Sequence, residues 1–524
     1  MALGILLSRI LGLVRERFFA FYLGNSDAGD AFRAALRIPN ILQNLLGEGV
    51  LSASFIPVYA RLEAQARARE AETLARAVFA FLLVLVSLLV ALGLGASEYL
   101  ADWLAPGFAP EKRALTVELL RIVFPGTGFL VLSAWCLGVL NSHHRFFLAY
   151  AAPVVWNLAL IGALALYGDH EGAPELVRRL AWAFVVGSLA QFAVQLPSVW
   201  RLARFWLPSF RWKNDAFRRV LGGFGPVLLG RGVVQISAYV DTIVASLFAP
   251  GSLSILVYAQ TLATLPLSLF GMSVSAAELP QLSRELATGQ AGEQSTRLRE
   301  RLAAARRRVI FFIAPTSVAF VVIGDSLLSV LYRGGAFGPE ALARTWPVLA
   351  AYAFWLPAST VGRLYSSALF AAQDTRTPPI VAIVRVALGL ALSGLAVFVY
   401  RWGFDFGGFE AVTAVVAAAA VAGGLEASLL RRRVIRLFGA LPRDPAVTKA
   451  WLAALVAGLG GFGARSVLSG RLPGATSTAS ALAHALLEIA LFAVFYAIAA
   501  LALKVPEAQR LRARLGRRGR GATS

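Results

Sequence analysis

The chain has 524 residues, of which 58% are hydrophobic and only 15% charged, with a net charge of +21. A soluble domain carries about 25% charged residues, so this composition excludes a water-soluble enzyme and a disordered chain and leaves a polytopic membrane protein. One cysteine, Cys136, excludes a disulfide framework and a cysteine-built metal site, and the basic excess reads as loops facing anionic lipid, not as a nucleic-acid surface.

In chain order, the apolar runs predict fourteen helices at residues 2–24, 30–60, 77–105, 115–141, 149–168, 176–200, 218–248, 253–282, 308–333, 343–371, 378–400, 408–430, 447–468 and 477–503. Each reaches the roughly 20 residues a bilayer requires. Span 1 is interrupted by Arg9, Arg15, Glu16 and Arg17. A signal peptide does not carry charges in its apolar core, so span 1 is read as permanent. Pro39, Pro125, Pro226, Pro266 and Pro357 predict kinks. Basic residues crowd every second loop, at 61–76, 201–219, 284–308 and 431–449, and the tail at 504–520; the loops between hold Asp27, Glu98, Asp102, Asp169 and Glu171. This alternation predicts both termini in the cytoplasm and an even number of spans. Polar turns at 140–145 and 372–376 lie six spans apart. They suggest two six-helix lobes, 1–215 and 216–440, followed by two extra helices at 441–503 and a basic cytoplasmic tail at 504–524.

An ionisable side chain at the bilayer centre costs on the order of 3 kcal/mol, so the charges inside spans are the informative ones. Arg9 and Glu16 are seven apart and share a helix face, which predicts that they interact while Arg15 points elsewhere. In span 2, Arg37, Asn40, Asn44 and Glu48 form one polar stripe, with Arg33 a turn earlier. Later spans add Arg231, Gln235 and Asp241, then Glu278, then Arg363 beside Ser359, Ser366 and Ser367, then Arg385 and Glu426. Each has a structural reading too: Arg17, Arg33 and Glu426 are placed to snorkel, and Glu278 to cap or pair at the end of span 8. The cations of spans 1 and 2 together predict a water-filled cavity. The planar guanidinium fork suits phosphate and carboxylate, a diphosphate above all. Glu16, Asp30 and Glu48 would limit self-repulsion in the empty cavity and exchange partners when ligand arrives.

Catalytic constellations are not apparent. His143 and His144 fall in a predicted solvated turn, His484 is alone in span 14, and no phosphate-cradling glycine loop occurs. The expectation is a protein that is not an enzyme and holds no cofactor. Gly458, Gly460, Gly461 and Gly463 read as close helix packing.

The segment Ser8-Arg9-Ile10-Leu11-Gly12-Leu13-Val14-Arg15-Glu16, then Gly29-Asp30-Ala31-Phe32, Arg37-Ile38-Pro39-Asn40 and Gly47-Glu48-Gly49-Val50-Leu51-Ser52-Ala53-Ser54-Phe55-Ile56-Pro57, resembles the start of the MurJ (MviN) family. These are bacterial lipid II flippases of the multidrug/oligosaccharidyl-lipid/polysaccharide exporter superfamily. Looser similarity continues through Gln235-Ile236-Ser237, 265–280 and Gln373-Asp374-Thr375-Arg376-Thr377-Pro378. The resemblance implies alternating access that carries undecaprenyl-diphosphate-linked disaccharide-pentapeptide to the outer leaflet for peptidoglycan synthesis. It implies a central cationic cavity for the headgroup and a groove for the lipid tail involving spans 13 and 14. Arg9, Arg15, Asp30, Arg37 and Glu48 match the family's charged positions.

Two departures stand out. Where relatives have arginines, this chain has Gln43 in span 2 and Thr261, after Tyr258-Ala259-Gln260, in span 8. Arg33, Arg231, Arg363 or Arg385 are the expected replacements. Asp241 is a weak candidate cation ligand, but its expected span 11 partners read as Gly389 and Ser393. Drive by membrane potential therefore stands beside ion coupling, the ion unspecified. The substrate-binding set is thus Arg9, Arg15, Asp30, Arg37, Asn40, Asn44, Glu48, Arg231, Arg363 and Arg385. The partners expected are a polyprenyl-diphosphate glycolipid, membrane lipids and the cell-wall synthesis machinery. The rival readings are a flippase for another polyprenyl-diphosphate glycan, a drug exporter, a membrane glycosyltransferase and a non-transporting assembly scaffold.

Overall fold

The computed structural model describes residues 2–203, 208–210, 215–272, 291–402, 408–471 and 478–520; within its helices, the side chains at 47–49, 229–239 and 241 are among those outside the described set. The described chain is all-α. Within lipid, a backbone must satisfy its own polar groups, and long runs of Ala, Leu and Val do so as helices. Nine described helices are long and apolar enough to cross a membrane, and the pair Thr296–Val322 and Gly324–Tyr332, bent by 86°, would make a tenth. The first helix, α1 (Ala2–Leu23), carries four charges and so falls outside that composition test.

Contacts divide the chain into two compact units, Met1–Ser254 with Gly335–Phe337, and Ile255–Gly334 with Gly338–Ser524. In the first unit α1 is followed by α2 (Asp27–Ala35), α3 (Arg37–Leu42), a π-helix (Gln43–Leu51) and α4 (Ser52–Ala64). The single predicted span at 30–60 is therefore segmented. After it come α5 (Ala68–Gly95), α6 (Ser97–Leu104), α7 (Pro110–Ser142), α8 (Phe146–Ala151), α9 (Pro153–Tyr167), α10 (Ala173–Ala203) and α11 (Asp215–Ser246). Helix α7 is the most buried, and Pro125 lies inside it without ending it. Its Trp135 is fully buried, with its ring 4.9 Å from that of Phe79. Gly93 of α5 lets Phe124 of α7 approach so closely that a β-carbon would lie 2.2 Å from the ring. A polar bridge joins α10 to α7: Gln191 and Gln195 both donate to the Ser133 hydroxyl, at 3.0 and 2.5 Å, and all three are buried. Interhelical hydrogen bonds of this kind hold membrane helices where burial alone gives no preference.

The second unit contains most of α12 (Ser252–Pro266), a π-turn (Leu267–Met272), α13 (Ala291–Val322), α14 (Gly324–Tyr332), α15 (Pro339–Ala371), α16 (Thr377–Arg401), α17 (Gly408–Phe438), α18 (Pro445–Arg471), α19 (Thr478–Ala502) and α20 (Pro506–Arg520). Arg307 of α13 ties two later segments together, reaching Asp444 at 2.8 Å and Glu507 at 2.7 Å. Arg465 of α18 meets Asp325 of α14 at 2.9 Å. Close packing holds at Gly458, where a β-carbon would meet Val318 at 2.7 Å, and at Gly460 against Phe495 at 2.9 Å, but Gly463 faces open space.

Four helices end alike. At Ala66, His144, Gln373 and Lys504 the backbone turns left-handed, with φ of 57°, 59°, 61° and 54°. In each, the next amide reaches back five residues to a carbonyl: Arg67 to Leu62, Arg145 to Leu140, Asp374 to Leu369 and Val505 to Ala500, at 2.9–3.0 Å. This is the Schellman stop, which normally uses glycine. The polar turns at 140–145 and 372–376 thus share a backbone form, but so do two others. The turn after α15 is reinforced by Asp374, which accepts from the Thr377 amide at 3.0 Å and the Thr377 hydroxyl and Arg433 at 2.7 and 2.8 Å. Burial works to raise its carboxyl pKa, and these donors outweigh that and hold it down at about 2.

Gly93→Ala should lower the thermal midpoint of the detergent-solubilised protein by several degrees, because its β-carbon would overlap the buried Phe124 ring. Gln373→Gly should raise stability by about 1 kcal/mol, by removing the left-handed penalty. Thermal unfolding of the two variants beside the parent checks both.

Candidate functional site

Helix α1 places Arg15 and Glu16 next to each other, and α2 brings Arg33 beside them. Arg15 donates to Glu16 Oε1 at 2.8 Å and to Asn157 Oδ1 of α9 at 3.1 Å. Arg33 donates to Glu16 Oε2 at 3.2 Å. One carboxylate, 8% exposed, therefore sits between two guanidiniums. Asn157 is oriented by its own bond to the Pro153 carbonyl, 2.9 Å. Each arginine also lies over a ring, Arg15 over Trp156 at 4.8 Å and Arg33 over Phe19 at 5.7 Å.

This corrects two readings of the helix wheel. The described partners of Glu16 are Arg15 and Arg33, not Arg9 seven residues away. A 100° step fixes where Cβ points, but a guanidinium on three methylenes reaches round the helix to its neighbour. Arg33 does not snorkel; its side chain is 9% exposed and ion-paired. Arg9 lies on an exposed part of α1.

Asp30 is 1% exposed and fully engaged. It accepts from the amides of Gly251 and Ser254, at 2.8 and 2.7 Å, and from Lys112 at 2.8 Å. The lysine also reaches Asp27 at 2.7 Å. Asp30 thus caps the first turn of α12, taking up amides that a helix start leaves unpaired. Its own helix starts on a side-chain cap from Ser26 to the Gly29 amide, 3.1 Å.

Along segmented helix 2, Arg37 is half-buried while Asn40 and Asn44 are exposed. The junction of α3 and the π-helix falls within the predicted polar stripe, and the wider turn of the π-helix alters the facing of everything after Gln43. The side chain of Glu48 lies outside the described residues, as do those of Arg231, Gln235 and Asp241 and all of Glu278. In the second unit, Arg385 of α16 and Glu426 of α17 approach to 3.1 Å, both half-buried. Arg363 of α15 is exposed. Glu426 is therefore an ion-pair partner between helices, not a snorkelling end group. Thr261 turns its hydroxyl to the Val257 carbonyl, 2.8 Å, and Ser393 is buried. His143, expected in a solvated turn, is bonded to the Tyr59 hydroxyl at 3.0 Å. Among the described residues no group of three acids, histidines or cysteines is placed to hold a metal ion.

The second unit also has an apolar groove of about 930 Å³, lined by Phe270, Phe311, Phe312, Phe492, Tyr496, Leu511 and neighbours, with Arg512 at its margin. Its walls come from α12, α13, α19 and α20.

The family profile described as "Lipid II flippase MurJ" matches residues 19–470. The chain belongs to the lipid II flippase MurJ family. A "Probable lipid II flippase MurJ" of Rhizobium meliloti (strain 1021) is 34% identical over 399 residues, covering 74% of this chain and 72% of its own length. The "Lipid II flippase MurJ" of Burkholderia cenocepacia is 31% identical over 394 residues, 74% of each chain. Among solved structures, "Lipid II flippase MurJ, inward closed conformation" superposes with a TM-score of 0.75 at 24% identity, covering 95% of this chain and 98% of that one. An inward-facing multidrug resistance MATE family transporter of the MOP superfamily gives 0.64 at 17% identity, over 82% and 95%. The MurJ fold, all-α and polytopic, is shared, as the motifs of spans 1 and 2 led one to expect.

In this MurJ-family chain Asp30→Ala should cost about 3 kcal/mol, since it leaves a buried lysine short of its partner and two amides uncapped. Asp30→Asn should cost less, keeping one acceptor. The measurement is the unfolding midpoint of each variant in the same detergent.

Proposed function

We propose that this chain moves lipid II, the undecaprenyl-diphosphate-linked peptidoglycan precursor, from the inner to the outer leaflet of the cytoplasmic membrane by alternating access. Membership of the MurJ family supports the substrate. The observation that carries the mechanism is the Arg15–Glu16–Arg33 set, in which two cations share one carboxylate. Two guanidiniums gathered on one carboxylate repel each other, the more strongly the lower the effective dielectric around them. Glu16 offsets that repulsion in the empty state. A diphosphate offers more charge and a better match to the guanidinium forks, so it competes with Glu16 for both arginines. Arg37, Asn40 and Asn44 extend the polar surface along the next helix, and Arg9 supplies a further cation. Arg363 and Arg385 are the candidates to stand in for the family arginines missing at Gln43 and Thr261. Arg231, Glu48 and Asp241 belong to the same proposal on sequence grounds.

The apolar groove suits a polyprenyl tail, which has no polar group to satisfy along its length. The loop charges support an orientation with both termini in the cytoplasm. Basic residues in the N-terminal halves of α7 and α10 are met by acids: Lys112 by Asp27 and Asp30, Arg121 by Glu98, Arg178 by Glu118 and Arg179 by Glu171. Their charge is locally cancelled, which leaves the excess at the other ends of these helices. A membrane potential is worth about 2.3 kcal/mol per charge per 100 mV, enough to bias a cycle that moves an anionic headgroup.

In cells depleted of their own flippase, the chain should restore lipid II exposure at the outer leaflet. Arg15→Ala should lower that exposure at least tenfold at equal membrane abundance, and Arg37→Ala should lower it too. Exposure restored equally by Arg15→Ala would sink the cavity assignment. No exposure with the parent chain would point to another polyprenyl-diphosphate glycan or to a scaffold.

A further inference from the structure

We propose that the cleft between the α7–α8 turn and the end of α10 binds the phosphate headgroup of an anionic glycerophospholipid. The cleft measures about 500 Å³, and its polar wall is formed by His144, Arg145, Ser198 and Arg201, its apolar wall by Phe147, Leu202 and neighbours. Among the described residues no acid lines it. Arg145 and Arg201 are both exposed, and among the described residues neither has a carboxylate partner. The basic residues at the opposite ends of α7 and α10 are ion-paired, so the contrast lies within the same helices.

The turn that presents these groups is fixed. His144 adopts the left-handed conformation, and the Arg145 amide is held by the Leu140 carbonyl at 2.9 Å. Two guanidiniums aimed at one cleft match a phosphate better than ammonium groups would, because each fork can donate twice. The surroundings identify the phosphate as a lipid's. Phe147 is 54% exposed and Trp200, beside Arg201 in sequence, 46%, aromatic side chains of the sort found where a membrane protein meets the headgroup layer. From the cleft, the outer face of α10 continues as exposed Val194, Leu189 and Val186, an apolar track along which acyl chains can lie. Basic pockets between helices at this depth are a known means of holding anionic lipid. The site depends on the membrane-spanning fold and not on what the protein transports.

The test is binding of phosphatidylglycerol by the full chain in phosphatidylcholine nanodiscs, read by native mass spectrometry of retained lipid. The parent should retain one phosphatidylglycerol selectively. Arg145→Gln with Arg201→Gln should weaken that retention about tenfold. Arg61→Gln with Arg69→Gln removes the same charge from the α4–α5 turn and should leave it unchanged. Arg201→Gln alone, at the exposed end of α10, should weaken retention about threefold, and it carries the test if the double variant fails to fold. Equal loss in both double variants would reduce the effect to general surface charge and overturn the site, as would unchanged retention in Arg201→Gln and the cleft double variant. Displacement by glycerol phosphate at concentrations comparable to the lipid would show a water-soluble phosphate ligand and would equally overturn the assignment to lipid.

Discussion

A guanidinium held within the thickness of a membrane has to find its counter-charge inside the protein. That requirement organises the first unit. Arg15 and Arg33 converge on Glu16, and this convergence brings α1, α2 and α9 to a common point through Asn157. The same requirement acts on Lys112, whose ammonium is buried between Asp27 and Asp30 and stands over the Phe108 ring at 4.2 Å. Removing one member of such a set is costly because the partner stays buried, so these groups constrain helix placement as firmly as any apolar contact. In the second unit Arg307, Arg385 and Arg465 each play a comparable part, pairing with acids of other segments.

A transporter's binding charges and its structural charges must both be paired when nothing is bound. The geometry suggests how the two differ. Asp30 is held by two main-chain amides and an ammonium together. Glu16 is held by two guanidinium side chains. One set is tied to the main chain and the other is made of side chains alone, though both are buried carboxylates within 14 positions of each other (16 and 30).

Much of this was legible in the sequence. Runs of apolar residues gave the helices, because in lipid a long apolar run has one way to satisfy its backbone. The short motifs of spans 1 and 2 gave the family. What was not legible depends on reach and on local winding. A helix wheel assigns Arg15 away from Glu16, yet the side chain is long enough to curl back. Helix 2 was read as one helix of period 3.6, and Pro39 marked a kink, but nothing in Gln43–Leu51 announces a π-helix except the glycines at 47 and 49. The Gln191–Gln195–Ser133 bridge is not evident in the sequence, because uncharged polar residues in a span have many small partners to choose from, although Gln191 and Gln195 one turn apart are a usable signal. Lys112, too, lay in a loop that read as acidic, and its role appears only when Asp27 and Asp30 are brought to it.

The cap that Asp30 places on α12 is made to main-chain amides, and every residue but proline has one. Position 254 can therefore change side chain over evolutionary time without loosening the grip, as long as neither the size nor the backbone is disturbed. Gly251 has no such latitude. Its φ is +85°, and a β-carbon there would lie 2.5 Å from the Asn25 carbonyl. Sequence drift at this junction should thus be uneven, with an acid at 30 and a glycine at 251 held together across more than two hundred residues while the buried position 254 is limited only to small side chains.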